Sequence, residues 1–230
     1  MSGNVPSEPP PSEPPSSGPP PSEPPRAVPL QTEWVRSDER QALGESVRRL
    51  LQVVVGTGAN PAELSTAAAA IDQVAASLAR TVVRQDPAVE PDSYRAHMSL
   101  VGGLSHPVAP PLTMTFTSDG AIGDVVVGPV FQGGPGLVHG GIVALLIDHA
   151  MGVVANRADQ PAMTVRLGLR YRRPTPLGVP LTVAVRLDRV EGRKLHLSAS
   201  VRANGQVTVE ADAVFLTLTA DNLEQVFARD

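Results

Sequence analysis

Residues 142–155 constrain this chain more than any other stretch. The run Ile142 to Ala155 is apolar on every face and proline-free, and only Asp148 and His149 break it. A helix apolar all round is either a membrane span or the buried centre of a core. Fourteen residues fall short of the roughly 17–25 that a bilayer crossing needs, so the run predicts a buried core helix and no membrane span. Directly ahead of it stands Gly133-Gly134-Pro135-Gly136-Leu137-Val138-His139-Gly140-Gly141. Its glycines permit tight turns and close backbone approach. They also leave the first amide N–H groups of the helix open to an acceptor.

Asp148 is the anomaly. A carboxylate in an apolar helix costs several kcal/mol unless it is paired, hydrogen-bonded or protonated. It is either a core Asp satisfied by backbone or a neighbouring Thr, or an acid kept for chemistry. The donor-bearing helix start beside it favours the second.

The chain has 230 residues and a net charge of −4, with Lys194 its single lysine. That is enough length for one sizeable core with attachments. No basic stripe offers a nucleic-acid surface. The absence of cysteine excludes disulfides, cysteine nucleophiles and thiolate metal sites. The N-terminus has neither the cationic start nor the apolar core of a secretory signal, so a cytoplasmic protein is expected.

Residues 6–25 are four tandem Pro/Ser/Glu pentads, the third degenerate. They offer no apolar face to bury and predict a solvated, disordered tail over residues 1–30. Residues 31–99 predict a helical extension. Ser37 is a good N-cap with Asp38 and Glu39 behind it, and Leu43, Val47, Leu50, Leu51 and Val54 form a stripe ending at Gly56. Asn60-Pro61-Ala62-Glu63 starts a second helix with a capping box, whose inner face would be Leu64, Ala67, Ala68, Ile71, Ala75, Leu78 and Val82. Together they predict a helical hairpin. From residue 100 onward the period becomes that of strands. Met114 and Phe116 alternate with threonines, Asp119-Gly120 turns, and Val125–Val127 follow. After the apolar helix, runs centred on Val165–Leu169, Leu181–Leu187, Leu195–Val201 and Val207–Thr219 predict a four-strand antiparallel meander, with Asn204-Gly205 a type I′ hairpin signal. Asp221 would cap a short terminal helix carrying Leu223, Val226 and Phe227. A sheet with one greasy helix available wraps that helix, which gives an α+β layout over residues 100–230.

Residues 100–220 resemble the hotdog-fold acyl-CoA thioesterases, in the PaaI-like branch of the 4-hydroxybenzoyl-CoA thioesterase superfamily. The likeness is carried by Phe131 to Gly141, by Asp148 nine positions after His139, by Thr164 sixteen after Asp148, and by Tyr171-Arg172-Arg173-Pro174. It implies an antiparallel sheet around a central helix, a homodimer or dimer of dimers that joins sheets side by side, and sites at the dimer interface. It further implies that the amide of Gly140 or Gly141 polarises a thioester carbonyl, with Asp148 as base or nucleophile and Thr164 assisting it. Arg172 and Arg173 would approach the CoA phosphates, and no cofactor is implied. Two positions depart from the pattern: Gly133 stands where small relatives carry Asn, and His149 follows the acid where Glu or Ala is common.

Physical chemistry supports the same assignment. Thioester hydrolysis develops negative charge on the carbonyl oxygen, which helix N-terminal amides stabilise without reorganising. A partly buried carboxylate can deprotonate or orient the attacking water. His139 counts among the candidate catalytic residues, expected to hold the turn by bonding backbone, with a direct part in the chemistry as the alternative. A metal site from His139, Asp148 and His149 is not expected, because adjacent helix residues project about 100° apart. Two alternatives stay open: a non-catalytic acyl-CoA-binding module, and an enoyl-CoA hydratase using an Asp–His pair.

Overall fold

The computed structural model describes residues 26–29, 37–84, 98–157 and 161–219. The pentads and the helix expected after Asp221 lie outside these residues. The described residues fall into two compact units.

The smaller unit holds strand β1 (Arg26–Pro29), helix α2 (Pro61–Leu78) and strand β2 (Thr81–Arg84). β1 and β2 pair in parallel, Arg26 opposite Thr81. β1 follows directly on the pentads, which end at Pro25. α2 begins as its sequence dictates, with Asn60 accepting from Ala62 and Glu63 while Glu63 accepts from the Asn60 N–H. None of its residues is buried, so the inner face expected for it is uncovered within its own unit.

The larger unit holds helix α1 (Asp38–Gly56) and everything from Met98 on; the two helices of the expected hairpin are thus divided between units. α1 lies against the loops rather than the sheet, by a polar side next to its apolar stripe, with Val47 and Leu51 half-buried. Leu43, Leu50 and Val54 are exposed. The docking side is polar: Gly44 touches the Ser105 carbonyl, Arg48 donates to the carbonyls of His106 (2.7 Å) and Leu104 (3.0 Å), and Gln52 accepts from the Val130 N–H. Loop carbonyls without a strand partner need donors, and that need outweighs the apolar stripe.

The rest is a six-stranded antiparallel sheet around helix α3 (Gly140–Ala155). Its strands are β3 (Thr113–Phe116), β4 (Gly120–Val126), β5 (Ala162–Tyr171), β6 (Pro180–Glu191), β7 (Lys194–Ala203) and β8 (Gln206–Thr217), in spatial order β3-β4-β6-β7-β8-β5. Two of the strand expectations need correction. β5 does not precede β6 in a meander; it pairs with β8 at the far edge, and β4 takes the place beside β6. The Pro174, Pro176 and Gly178 segment after β5 is a crossing rather than a hairpin turn. The Asn204-Gly205 turn forms as expected, both residues having positive φ (50° and 75°).

Val143, Leu146, Ile147, Ala150, Met151 and Val154 of α3 are buried, packed with Leu181, Val183, Leu197, Val201, Val209 and Phe215 of the sheet. The opposite stripe, Gly141, Leu145, Asp148 and Gly152, is not buried. The sheet therefore covers one side of a helix that is apolar all round. β5 continues the uncovered region: it is an edge strand ten residues long whose Met163, Val165 and Tyr171 are 47%, 58% and 55% exposed. Among the described residues no helix is long and apolar enough to cross a membrane.

Candidate active site

The glycine run closes on itself before the helix begins. The Gly133 N–H donates to the Leu137 carbonyl (2.9 Å), the Leu137 N–H to the Gly134 carbonyl (3.0 Å), and Gly136 sits at φ +71°. A Cβ on Gly133 would stand 2.8 Å from the His139 Cα. The departure at Gly133 therefore has a steric cause: this loop leaves no room there for the Asn of smaller relatives. His139 is the N-cap of α3. Its N–H donates to the Phe131 carbonyl (2.9 Å), and its Nδ1 accepts from the Gly141 N–H (3.0 Å). Nδ1 as acceptor puts the ring proton of the neutral imidazole on Nε2. His139 thus holds the turn, as expected.

That cap separates the two candidate donors. The Gly141 amide is committed to His139, whereas the Gly140 N–H meets no acceptor among the described residues. The carbonyl of Gly140 accepts from the Tyr171 hydroxyl at 2.8 Å. The 140–141 peptide is pinned at both ends, and the amide before it is left uncommitted.

Asp148 lies eight residues on, about 12 Å further along the axis. It is half-buried, on the side of α3 that the sheet leaves uncovered. The Thr164 hydroxyl donates to its Oδ1 at 2.9 Å. Strict alternation would place Thr164 on the outer face of β5 with Arg166. A β-bulge prevents this: Thr164 opposes Phe215 and Arg166 opposes Val214, leaving Val165 without a partner. The extra residue shifts the phase by one, so Thr164, Leu167, Leu169 and Tyr171 all face the helix. His149 turns elsewhere, its Nε2 close to Gly102. Burial lowers its pKa, and the neighbouring Asp148 charge only partly opposes this.

Arg172 and Arg173 reach the helix start rather than the acid. With Leu137, Gly140, Val143 and Tyr171 they line a cavity of about 370 Å³. Arg172 is held by Glu210 through Nε and Nη2 (2.9 and 2.7 Å), and Arg173 donates to the Val207 carbonyl (3.1 Å). The structure thus forms two clusters, Gly140 with Tyr171, Arg172 and Arg173, and Asp148 with Thr164. The cavity at the helix start includes neither Asp148 nor Thr164. Tyr171 is the residue that sequence reasoning missed. Its signal was its place beside the two arginines and its two-residue spacing from Leu167 and Leu169, which puts it on the helix face of β5. Among the described residues no group of His, Asp and Glu is placed to hold a metal ion.

A family model described as the thioesterase superfamily matches residues 135–210, from within the glycine run into β8. The acyl-coenzyme A thioesterase THEM4 of Bos taurus is 40% identical over 94 residues, 41% of this chain and 38% of the bovine protein. The protein of the same name from Xenopus laevis is 34% identical over 93 residues, 40% of this chain and 42% of its own. The chain spans about two-fifths of the length of these curated relatives. A crystal structure described as a thioesterase superfamily protein is 32% identical and superposes with a TM-score of 0.68, covering 83% of this chain and 98% of that one. At 32% identity over 98% of that structure, the chain belongs to the thioesterase superfamily.

Proposed function

We propose that this chain is an acyl-CoA thioesterase that works as a homodimer with two composite sites. The observation that carries this is the division of the parts: an uncommitted amide at Gly140, and an oriented carboxylate at Asp148 on the uncovered side of the same helix. A donor must sit about 3 Å from the oxyanion, and a base must reach the water attacking the same carbon. Parts about 12 Å apart along one helix do not meet at one carbonyl. Two copies of α3 running antiparallel across a two-fold axis bring the start of one to the middle of the other. The bare β5 edge and the exposed stripe of α3 are the surfaces such a pairing would cover.

In this scheme Asp148, held by Thr164, takes a proton from water as the water oxygen bonds to the thioester carbon. The oxyanion so formed lies on the partner's helix-start amide. Collapse breaks the C–S bond, and the CoA sulfur leaves with the proton that Asp148 returns. Arg172 and Arg173, at the mouth beside Gly140, supply the cations for CoA phosphates. The catalytic domain is residues 100–230, residues 31–99 are the extension, and the location is the cytoplasm. The test is release of free CoA from a panel of acyl-CoAs. Wild type should turn over, and Asp148→Asn should lose about 10²–10⁴-fold in rate with its fold intact. A folded wild type that releases no CoA from any of them would overturn the proposal and leave the acyl-CoA-binding module.

A further inference from the structure

Helix α1 does not seal the loops it covers. Its polar anchors, Gly44, Arg48 and Gln52, hold it against Ser105, His106 and Val130. Its larger apolar side chains, Leu43, Leu50 and Val54, point away. Of that stripe Leu51 reaches the space beneath, and Leu43, Leu50 and Val54 do not fill it. What remains is a cavity of about 520 Å³, lined by Leu51, Val108, Ala109, Val126, Val130 and Phe131, with Glu45, Arg48, Arg49 and Gln52 of α1 as its polar side. Volume and lining are those of a small-molecule site, which is typically about 300–1,000 Å³ and mainly apolar.

Its position matters more than its size. Phe131 is part of its wall, and the Phe131 carbonyl receives the His139 N–H at 2.9 Å. One residue thus belongs both to this cavity and to the turn that presents the Gly140 amide. A thioester whose carbonyl lies on that amide has two ends to place. The CoA end has the cationic mouth at Arg172 and Arg173, on the β5 side of the helix start. The acyl end needs an apolar space of its own, and the space beneath α1 shares Phe131 with the turn that presents that amide.

We infer that the cavity beneath α1 seats the acyl chain, so that the substrates are thioesters of extended aliphatic acids and α1 sets their length. This rests on the proposed thioester chemistry but predicts binding as well as turnover. Each methylene that leaves water for an apolar seat tightens binding about fourfold, the equivalent of about 0.8 kcal/mol.

The experiment is calorimetry of the full chain with S-ethyl-, S-octyl- and S-dodecyl-CoA, thioethers that cannot be hydrolysed. Affinity should rise more than 100-fold from ethyl to dodecyl. Val108→Trp and Val126→Trp fill the cavity from positions 41% and 49% exposed, so a larger side chain is accommodated at the surface. Each should bind S-ethyl-CoA as wild type does and lose at least tenfold of the gain with length. Val190→Trp, exposed on β6 and absent from the cavity wall, should keep the whole gain. A length dependence that is flat in wild type, or unchanged in both cavity variants, overturns the assignment. Hydrolysis of matching acyl-CoAs is measured separately. A normal length dependence without turnover sinks the thioesterase proposal and leaves the seat standing.

Discussion

Replacing Gly140 by proline deletes the proposed oxyanion donor and little else. Gly140 is the first residue of α3, where proline is favoured because the missing N–H has no helical partner. The residue before a proline must be extended, and His139 already has φ −60° and ψ 133°. A Cβ at 140 would meet the Tyr171 hydroxyl at 3.4 Å, at the end of an exposed side chain that can shift. The His139 cap on Gly141 is untouched, which would not hold for proline at 141. Melting temperature should therefore stay near wild type. The rate should fall about 10²–10³-fold, the usual loss for one oxyanion donor.

Subunit mixing then asks which chain supplies which part. Gly140→Pro chains keep a good acid and Asp148→Asn chains keep a good amide. If the sites are composite, a heterodimer has one site with both good parts and one with neither. An equal mixture gives one heterodimer for every two dimers, so thioesterase activity should recover to about a quarter of wild type. Native mass spectrometry counts the heterodimers, and a free-thiol assay reads the rate. Heterodimers present at half the population with activity no higher than either homodimer would mean that donor and acid come from one chain.

Three further outcomes follow from single contacts. Thr164→Val removes the hydroxyl that orients Asp148 and should cost about 10-fold in kcat, in line with about 1.5 kcal/mol for a hydrogen bond to a charged group near solvent. In an Asp148→Asn background the same change should cost almost nothing, and an equal loss in both backgrounds would give Thr164 an independent role. His149 has its pKa lowered by burial, so the unfolded chain binds the proton more readily. Stability is then full above the unfolded value near 6.5 and falls as pH drops below it toward the folded pKa; His149→Gln should lessen that acid loss of melting temperature, and an identical pH profile would refute it. Asn156 donates to the Gly152 carbonyl (2.7 Å) and accepts from the Ala162 N–H (2.9 Å), tying the end of α3 to the start of β5. Asn156→Ala should destabilise by about 1–3 kcal/mol, read in urea, because the Ala162 N–H loses its partner.

What the sequence made legible, and what it did not, divides by physical range. The N-caps at Ser37 and Asn60, the Asn204-Gly205 turn and the alternation of β6 to β8 are local, each decided within a few residues. The order of strands is not local, and β5 went to the wrong neighbour because periodicity does not say which strand it meets. The face of α1 was misread for a related reason. A leucine stripe marks the side that would gain most from burial, but Arg48 and Gln52 answer loop polar groups that become visible only once the loop is folded. The site shows the sharpest case. Met163-Thr164-Val165-Arg166 reads as plain alternation, and on that pattern Thr164 shares the outer face with Arg166 and never meets Asp148. Nothing in four residues announces a bulge. It is set by two demands at once: Leu167 and Leu169 must pack on the helix side opposite Ala213 and Ala211, and Thr164 must register with Phe215. One spare residue reconciles them, and Val165 is that residue. The bulge is therefore the feature that turns a strand threonine into the partner of a helix acid.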